Sequence, residues 1–269
     1  MSAVRETWDL ILGCGEVGKS LGDVLGERRK ILYHDPPKGI ICQILKPDYL
    51  HVCIPFIENE TFVEETLHAL QKFDPFHIVI HSTVPVGTTR LIHDAMLKGI
   101  RETGTWSFIA YSPIRGLHPN LSTHIRQFPK WYATFVDGEV DNQITRYFAE
   151  AGISMRKAET IESLELMKLL DTLEYGYRIA LWQEIGRLTA NLPGIHPKAK
   201  TMTQIAEWLF EKRKVYDGDR GMAPIMYDGF IGGHCIMPNL ELTKDRLTPE
   251  LYAWLTQSNN LRSGKYLSP

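Results

Sequence analysis

The stretch "WDLILGCGEVGKSLGDVLG", residues 8 to 26, restricts the fold of this chain more than any other. An apolar run that reads as a buried strand leads directly into Gly13, Gly15 and Gly18 in G-x-G-x-x-G spacing, and an amphipathic helical pattern follows. The three glycines meet three separate demands. Gly13 permits the tight turn, Gly15 lets a pyrophosphate approach the backbone, and Gly18 allows close helix–sheet packing, while the helix N-terminus favours the phosphate charge. Glu16 and Val17, between the second and third glycines, complete the candidate cofactor turn. About twenty residues on, "KILYHD" ends in Asp35, whose carboxylate can accept both ribose hydroxyls and would repel a 2′-phosphate. The pattern therefore points to NAD in preference to NADP. A plain glycine turn, with Asp35 as a helix cap, is the bland alternative.

The rest of the first half repeats the alternation. "YLHVCIP" (49–55), "FHIVIHS" (76–82), "WSFIAYS" (106–112) and "WYATFV" (131–136) are short apolar runs separated by helical patterns. This is the signature of βαβ units around a mostly parallel sheet. From Ile161 the period changes: "IESLELMKLLDTLEYGYRIALWQEIGRL" is one long amphipathic segment without proline, and further helical patterns fall near 197–213 and 248–257. The expected fold class is α/β, a Rossmann-type doubly wound parallel sheet followed by a smaller all-helical domain with a long connecting helix. The expected domains are residues 1–158 for NAD binding and 159–269 for substrate binding and dimerisation.

Composition narrows the partners. With 269 residues, 43% hydrophobic content and a formal net charge of −2, the chain has no electrostatic reason to seek nucleic acid or an anionic membrane. No apolar run approaches the ~20 residues of a bilayer span, and "MSAVRETWD" leads into a strand, which sets a cytoplasmic expectation. Cys14, Cys42, Cys53 and Cys235 lack C-x-x-C spacing, so neither a metal site nor a disulfide framework is expected.

Several motifs in order carry a more specific likeness. "HVCIP" (51–55), "HSTVPVGTT" (81–89), "ELMKLL" (165–170) and "GGHCIMPN" (232–239) follow the glycine turn. In these stretches the sequence resembles the UDP-glucose/GDP-mannose dehydrogenase family, which oxidises a sugar-nucleotide alcohol to a carboxylate with two NAD and a covalent cysteine thioester. The resemblance implies that Pro55, Ser82 and Thr83 flank NAD, that Thr83 also belongs to the catalytic set, and that Lys168 of the E-x-x-K helix and Cys235 carry the chemistry. It also implies differences. Ile114 stands where the family has a thioester-handling glutamate, Thr172 where it has an asparagine, and Asn239 where it has an aspartate. Only residues 240–269 follow the cysteine motif, so the family's C-terminal nucleotide-sugar domain is expected to be missing.

The residue types fit the implied reaction. Removing hydride from an alcohol needs a base or a charge for the developing oxyanion, and a helical lysine at Lys168 can serve either need. Glu165 and Thr172, at i−3 and i+4, share its face. Cys235 lies behind Gly232, Gly233 and His234 in a turn whose amides could hold an oxyanion, and a thiolate there could capture an aldehyde. A buried structural cysteine is the alternative, and His234 reads as a substrate contact or packing residue. Arg115 and His118, in the loop after the fifth strand, could clamp a phosphate or carboxylate. Three functions remain open: oxidation of a sugar or nucleotide-sugar alcohol through Cys235 to the acid, a single-hydride β-hydroxyacid-type dehydrogenase, and a non-catalytic NAD-binding subunit. A homodimer through the long helix is expected, because its apolar content exceeds what one small helical domain covers.

Overall fold

The computed structural model describes residues 7–99, 108–117, 119–195, 198–217, 227, 229–232 and 235–262. The chain divides into two compact units, Met1–Lys168 and Leu169–Pro269, and the division falls inside the long helix.

In the first unit the strands are β1 (Trp8–Leu12), β2 (Lys30–His34), β3 (Tyr49–Val52), β4 (His77–Ile80), β5 (Phe108–Tyr111), β6 (Lys130–Thr134) and β7 (Met155–Lys157). The helices between them are α1 (Glu16–Leu25), α2 (Asn59–Phe73), α3 (Thr88–Gly99), α4 (Leu121–Gln127) and α5 (Glu139–Glu150). The sheet order is β2-β1-β3-β4-β5-β6-β7. Strands β2 to β5 run parallel with β1, and β6 turns antiparallel to β5, a reversal that the alternation of apolar runs did not announce.

Side chains of successive strand residues point to opposite faces, so each strand feeds two cores. Leu10, Leu50, Ile78 and Ile109 pack with Phe62 and Phe73 of α2 and with Ile92 of α3. Ile11, Val79 and Ala110 pack on the other face with Leu21 of α1, Ile125 of α4 and Phe148 of α5. Helices on both faces explain why the strands are near-continuous apolar runs. Each fully buried large apolar side chain contributes about 1.5–3 kcal/mol relative to exposure.

The helix α6 (Ile161–Asn191) carries the chain into the second unit, followed by α7 (Lys198–Asp217), α8 (Ile236–Thr243) and α9 (Pro249–Asn260). The second unit is helical among its described residues. Leu173, Ile179, Ile236, Leu240 and Leu255 form its main core. Gly176 explains how α6 and α8 approach: a Cβ there would stand 2.5 Å from Ile236 Cγ2. No described helix is long and apolar enough to cross a membrane.

Candidate cofactor and substrate site

The glycine turn joins β1 to α1. Gly13 has φ of +95°, its N–H donates to the His34 carbonyl at 2.9 Å, and a Cβ would lie 2.8 Å from the Cys53 carbonyl oxygen. A Cβ on Gly18 would lie 2.1 Å from the Gly13 carbonyl oxygen. Gly15, the N-cap of α1, has nothing within 4 Å of where its Cβ would be. Two glycines are therefore needed for packing and the third keeps the approach to the helix N-terminus open. That is the division of labour a pyrophosphate cradle requires, so the residues fit a dinucleotide. Glu16 is exposed in the first turn, whereas the Val17 side chain packs against the core.

Asp35 follows the last residue of β2 and is nearly buried. The Cys14 N–H donates to its Oδ2 at 2.7 Å, and Lys38 Nζ lies 3.1 Å from the same oxygen while also donating to the Cys14 carbonyl at 2.9 Å. Burial works to raise the carboxyl pKa, but the Cys14 amide and the Lys38 ammonium outweigh it and hold it below the usual range. Asp35 is thus ionised at neutral pH. Lys38 escaped the sequence reading because only folding returns the "PPK" turn to Cys14.

Ser82 Oγ donates to the Ile54 carbonyl at 2.6 Å, joining the carboxyl ends of β3 and β4 beside the exposed Pro55. Thr83 is half-buried in the same turn. Gly87 and Thr89 donate their N–H groups to Glu165 Oε2 and Oε1 at 2.6 and 2.9 Å, which caps the start of α3 from α6. Burial lifts the Glu165 carboxyl above its ordinary range despite the opposing pull of those amides. The sequence placed Glu165 on the Lys168 face; the structure gives its carboxylate a positioning task, holding the Ser82–Thr89 turn against the helix that bears Lys168. Lys168 is half-buried.

Beyond β5, Arg115 is exposed, with its guanidinium 5.5 Å from the Phe128 ring centre. Pro113, Ile114, Arg115, His124, Phe128 and Lys130 line a small cavity there. Lys130 was not foreseen. It is buried, its Nζ donates to the Ser112 and Pro113 carbonyls at 2.6 and 3.1 Å, and burial, aided by the charge of Lys168, brings its pKa down to about 7. A lysine opening a β-strand carries no local sign of this, since its burial depends on strands far away in the chain. His118 lies outside the described residues.

In the second unit, Cys235 is exposed as the N-cap of α8, so it does not sit in apolar packing. Asn239 is buried one turn further, its N–H donating to the Cys235 carbonyl at 3.2 Å. Asn259 Oδ1 accepts from the Ile231 N–H at 2.6 Å, and its Nδ2 donates to the Ile231 carbonyl at 3.1 Å, fixing the segment that ends in the exposed Gly232. Thr172 is half-buried on α6. Gly233 and His234 lie outside the described residues. By contrast Cys53 is buried, which pushes its thiol up to about 12.

This arrangement is a Rossmann-type, mostly parallel α/β sheet in one unit and a helical second unit. Among solved structures, a UDP-glucose dehydrogenase from Pyrobaculum islandicum matches at TM-score 0.71 and 15% identity, covering 97% of this chain and 70% of that one. UDP-D-ManNAc dehydrogenase from Pyrococcus horikoshii matches at TM-score 0.66 and 13% identity, over 95% of this chain and 68% of that one. Mycobacterium tuberculosis 3-hydroxyisobutyrate dehydrogenase matches at TM-score 0.65 and 14% identity, over 96% of this chain and 93% of that one. The family resemblance read from the motifs thus has a counterpart in three dimensions: the fold is shared. No protein-family model and no curated protein matches the sequence.

Proposed function

We propose that this chain is an NAD-dependent oxidoreductase acting on a sugar or nucleotide-sugar alcohol. The observation that carries the reading is the glycine turn with its ionised Asp35, opposite a Ser82–Thr89 turn that Glu165 fastens to the helix of Lys168. NAD, when bound, accepts hydride from the carbinol carbon. Asp35 holds the adenosine ribose and the α1 N-terminus holds the pyrophosphate. Ser82 and Thr83 orient the nicotinamide end. Lys168 takes up or screens the charge left on the substrate oxygen as the hydroxyl proton departs. Arg115 grips an anionic part of the substrate.

Cys235 extends the reaction. Its thiolate would add to the aldehyde carbon to form a thiohemiacetal, loss of a second hydride to a second NAD would leave a thioester, and water would release the acid. Thr172 and Asn239 are the polar groups proposed to serve that stage, with the Gly232 segment supplying the turn. A second reading, loss of one hydride only, is favoured by Ile114, a buried apolar side chain where the resembled family has its thioester-handling acid. Counting NADH per substrate decides: two for the acid, one for the single oxidation, and none for a binding subunit.

Selective labelling checks the thiol. Iodoacetamide is expected to modify exposed Cys235 at least about tenfold faster than buried Cys14, Cys42 or Cys53, with NAD plus substrate protecting it. Equal rates for all four would remove Cys235 from the reaction. Asp35→Ala is expected to weaken NAD by about tenfold or more while affecting NADP less, read by titration calorimetry. Unchanged NAD affinity would overturn the cofactor assignment.

The proposed assembly is a homodimer along α6. Leu170, Leu181 and Leu188 are exposed and spaced by whole helical turns, so they form one apolar stripe. Sedimentation at micromolar concentration is expected to show a dimer that Leu181→Glu dissociates. A monomeric parent protein would refute it.

A further inference from the structure

A chain of buried polar groups runs through the first unit from β1 to the loop after β5. Tyr147 of α5 reaches Asp9 Oδ2 at 2.8 Å and His51 Nε2 at 2.8 Å. His51 Nδ1 meets His81 Nε2 at 3.0 Å, and His81 Nδ1 meets the Ser112 carbonyl at 2.6 Å. Both ends of this chain accept only. Ser112 offers a carbonyl; burial raises the Asp9 carboxyl above its ordinary range, but Arg29 and the Tyr49 N–H donate to both of its oxygens, so it enters this chain as an acceptor. Four contacts between two acceptors need four protons. A neutral tyrosine and two neutral imidazoles supply three.

We infer that His51 and His81 together bind one proton more than two neutral imidazoles carry, and that this buried, singly charged pair fastens the turn after β4 to the loop after β5. Charge supports the same count. Arg29 pairs with both Asp9 and Asp48, so these three side chains carry one net negative charge, which favours an additional proton nearby when Lys130 is a neutral amine. The other titratable neighbours leave the count unchanged: burial raises the pKa of Tyr49, raises that of Cys53 to about 12 and lowers that of His77 to about 4, so all three are neutral near pH 7. Lys130, pulled to about 7, shares the Ser112 carbonyl with His81 and can donate to it as a neutral amine.

Burial and the charges of Lys130 and Arg29 favour neutral rings. The hydrogen-bond count opposes them and prevails, because a neutral pair leaves one contact between two buried groups with lone pair facing lone pair. His51 and His81 are fully or almost fully buried, so bulk solvent does not relieve that contact. The consequence is positional. His81 immediately precedes Ser82, and Ser112 opens the loop that bears Arg115, so loss of the proton loosens the tie between the candidate cofactor turn and the candidate substrate loop.

The test uses the ligand-free protein, so it stands apart from the proposed enzymatic activity. In ¹⁵N-histidine spectra from about pH 6 to 9, with signals assigned through His51→Gln and His81→Gln, the pair is expected to keep its additional proton to about one pH unit above the ordinary histidine value of ~6.5. Tyr147→Phe removes the bridging hydroxyl and both of its contacts, which leaves two contacts for two neutral rings to fill. It is expected to shift proton loss down by about one unit or more. Neutral tautomers for both rings throughout the range would overturn the inference, as would an unchanged titration in Tyr147→Phe. Global stability is not the readout, because Lys130 titrates in the same range.

Discussion

Lys168→Ala is expected to lower turnover about a hundred- to ten-thousand-fold, the span typical of removing a positioned acid–base group. The reasoning starts from the helix. Glu165, three residues earlier, is anchored by the Gly87 and Thr89 amides, which fixes the rotation of α6 beside the proposed nicotinamide turn. Lys168 is half-buried, so it retains access to a substrate. Losing its amine removes the charge proposed to receive the developing oxyanion. NAD affinity should change little, since the cradle lies on β1, β2 and α1. Lys168→Arg keeps the charge but replaces a compact titratable amine with a guanidinium that does not deprotonate, and is expected to recover only part of the rate. Steady-state NADH formation measures both. Activity of Lys168→Ala within about threefold of wild type would mean that the lysine is a surface charge.

The second large effect separates two glycines with similar sequence surroundings. Gly18→Ala drives a Cβ to 2.1 Å from the Gly13 carbonyl, a rigid backbone atom, so α1 must move away from the turn. A cost of about 3 kcal/mol is expected, roughly 6–12 °C in melting temperature, together with loss of NAD binding. Gly15→Ala meets open space at an ordinary negative φ of −83°. Its melting temperature should stay within about 2 °C of wild type while NAD affinity falls by about tenfold or more, because the methyl group occupies the phosphate approach. Thermal melts with and without NAD make the comparison. If Gly15→Ala binds NAD normally, the pyrophosphate does not lie over this turn.

Much of this was present in the sequence because its causes are local. Gly13, Gly15 and Gly18 are read from steric demands within one turn, the alternating apolar runs from a period of two residues, and α6 from a long stretch without proline. Even the kinship of Glu165 and Lys168 follows from helical spacing. What the sequence did not disclose depends on which distant backbone groups meet. Glu165 reads as a site-facing acid until folding brings amides from more than seventy positions away onto it. Lys130 lies just before the apolar run 131–136, and its depressed pKa arises only when β6 reverses beside β5 and buries the amine over two carbonyls. Asp9, His51 and Tyr147 sit on three separate elements and His81 just after a fourth, and nothing periodic links them. Local backbone sterics and apolar period determined the architecture of the α/β unit. Long-range burial, which removes water and forces each polar group to find a partner, decided which side chains are charged, which are held, and which face the site.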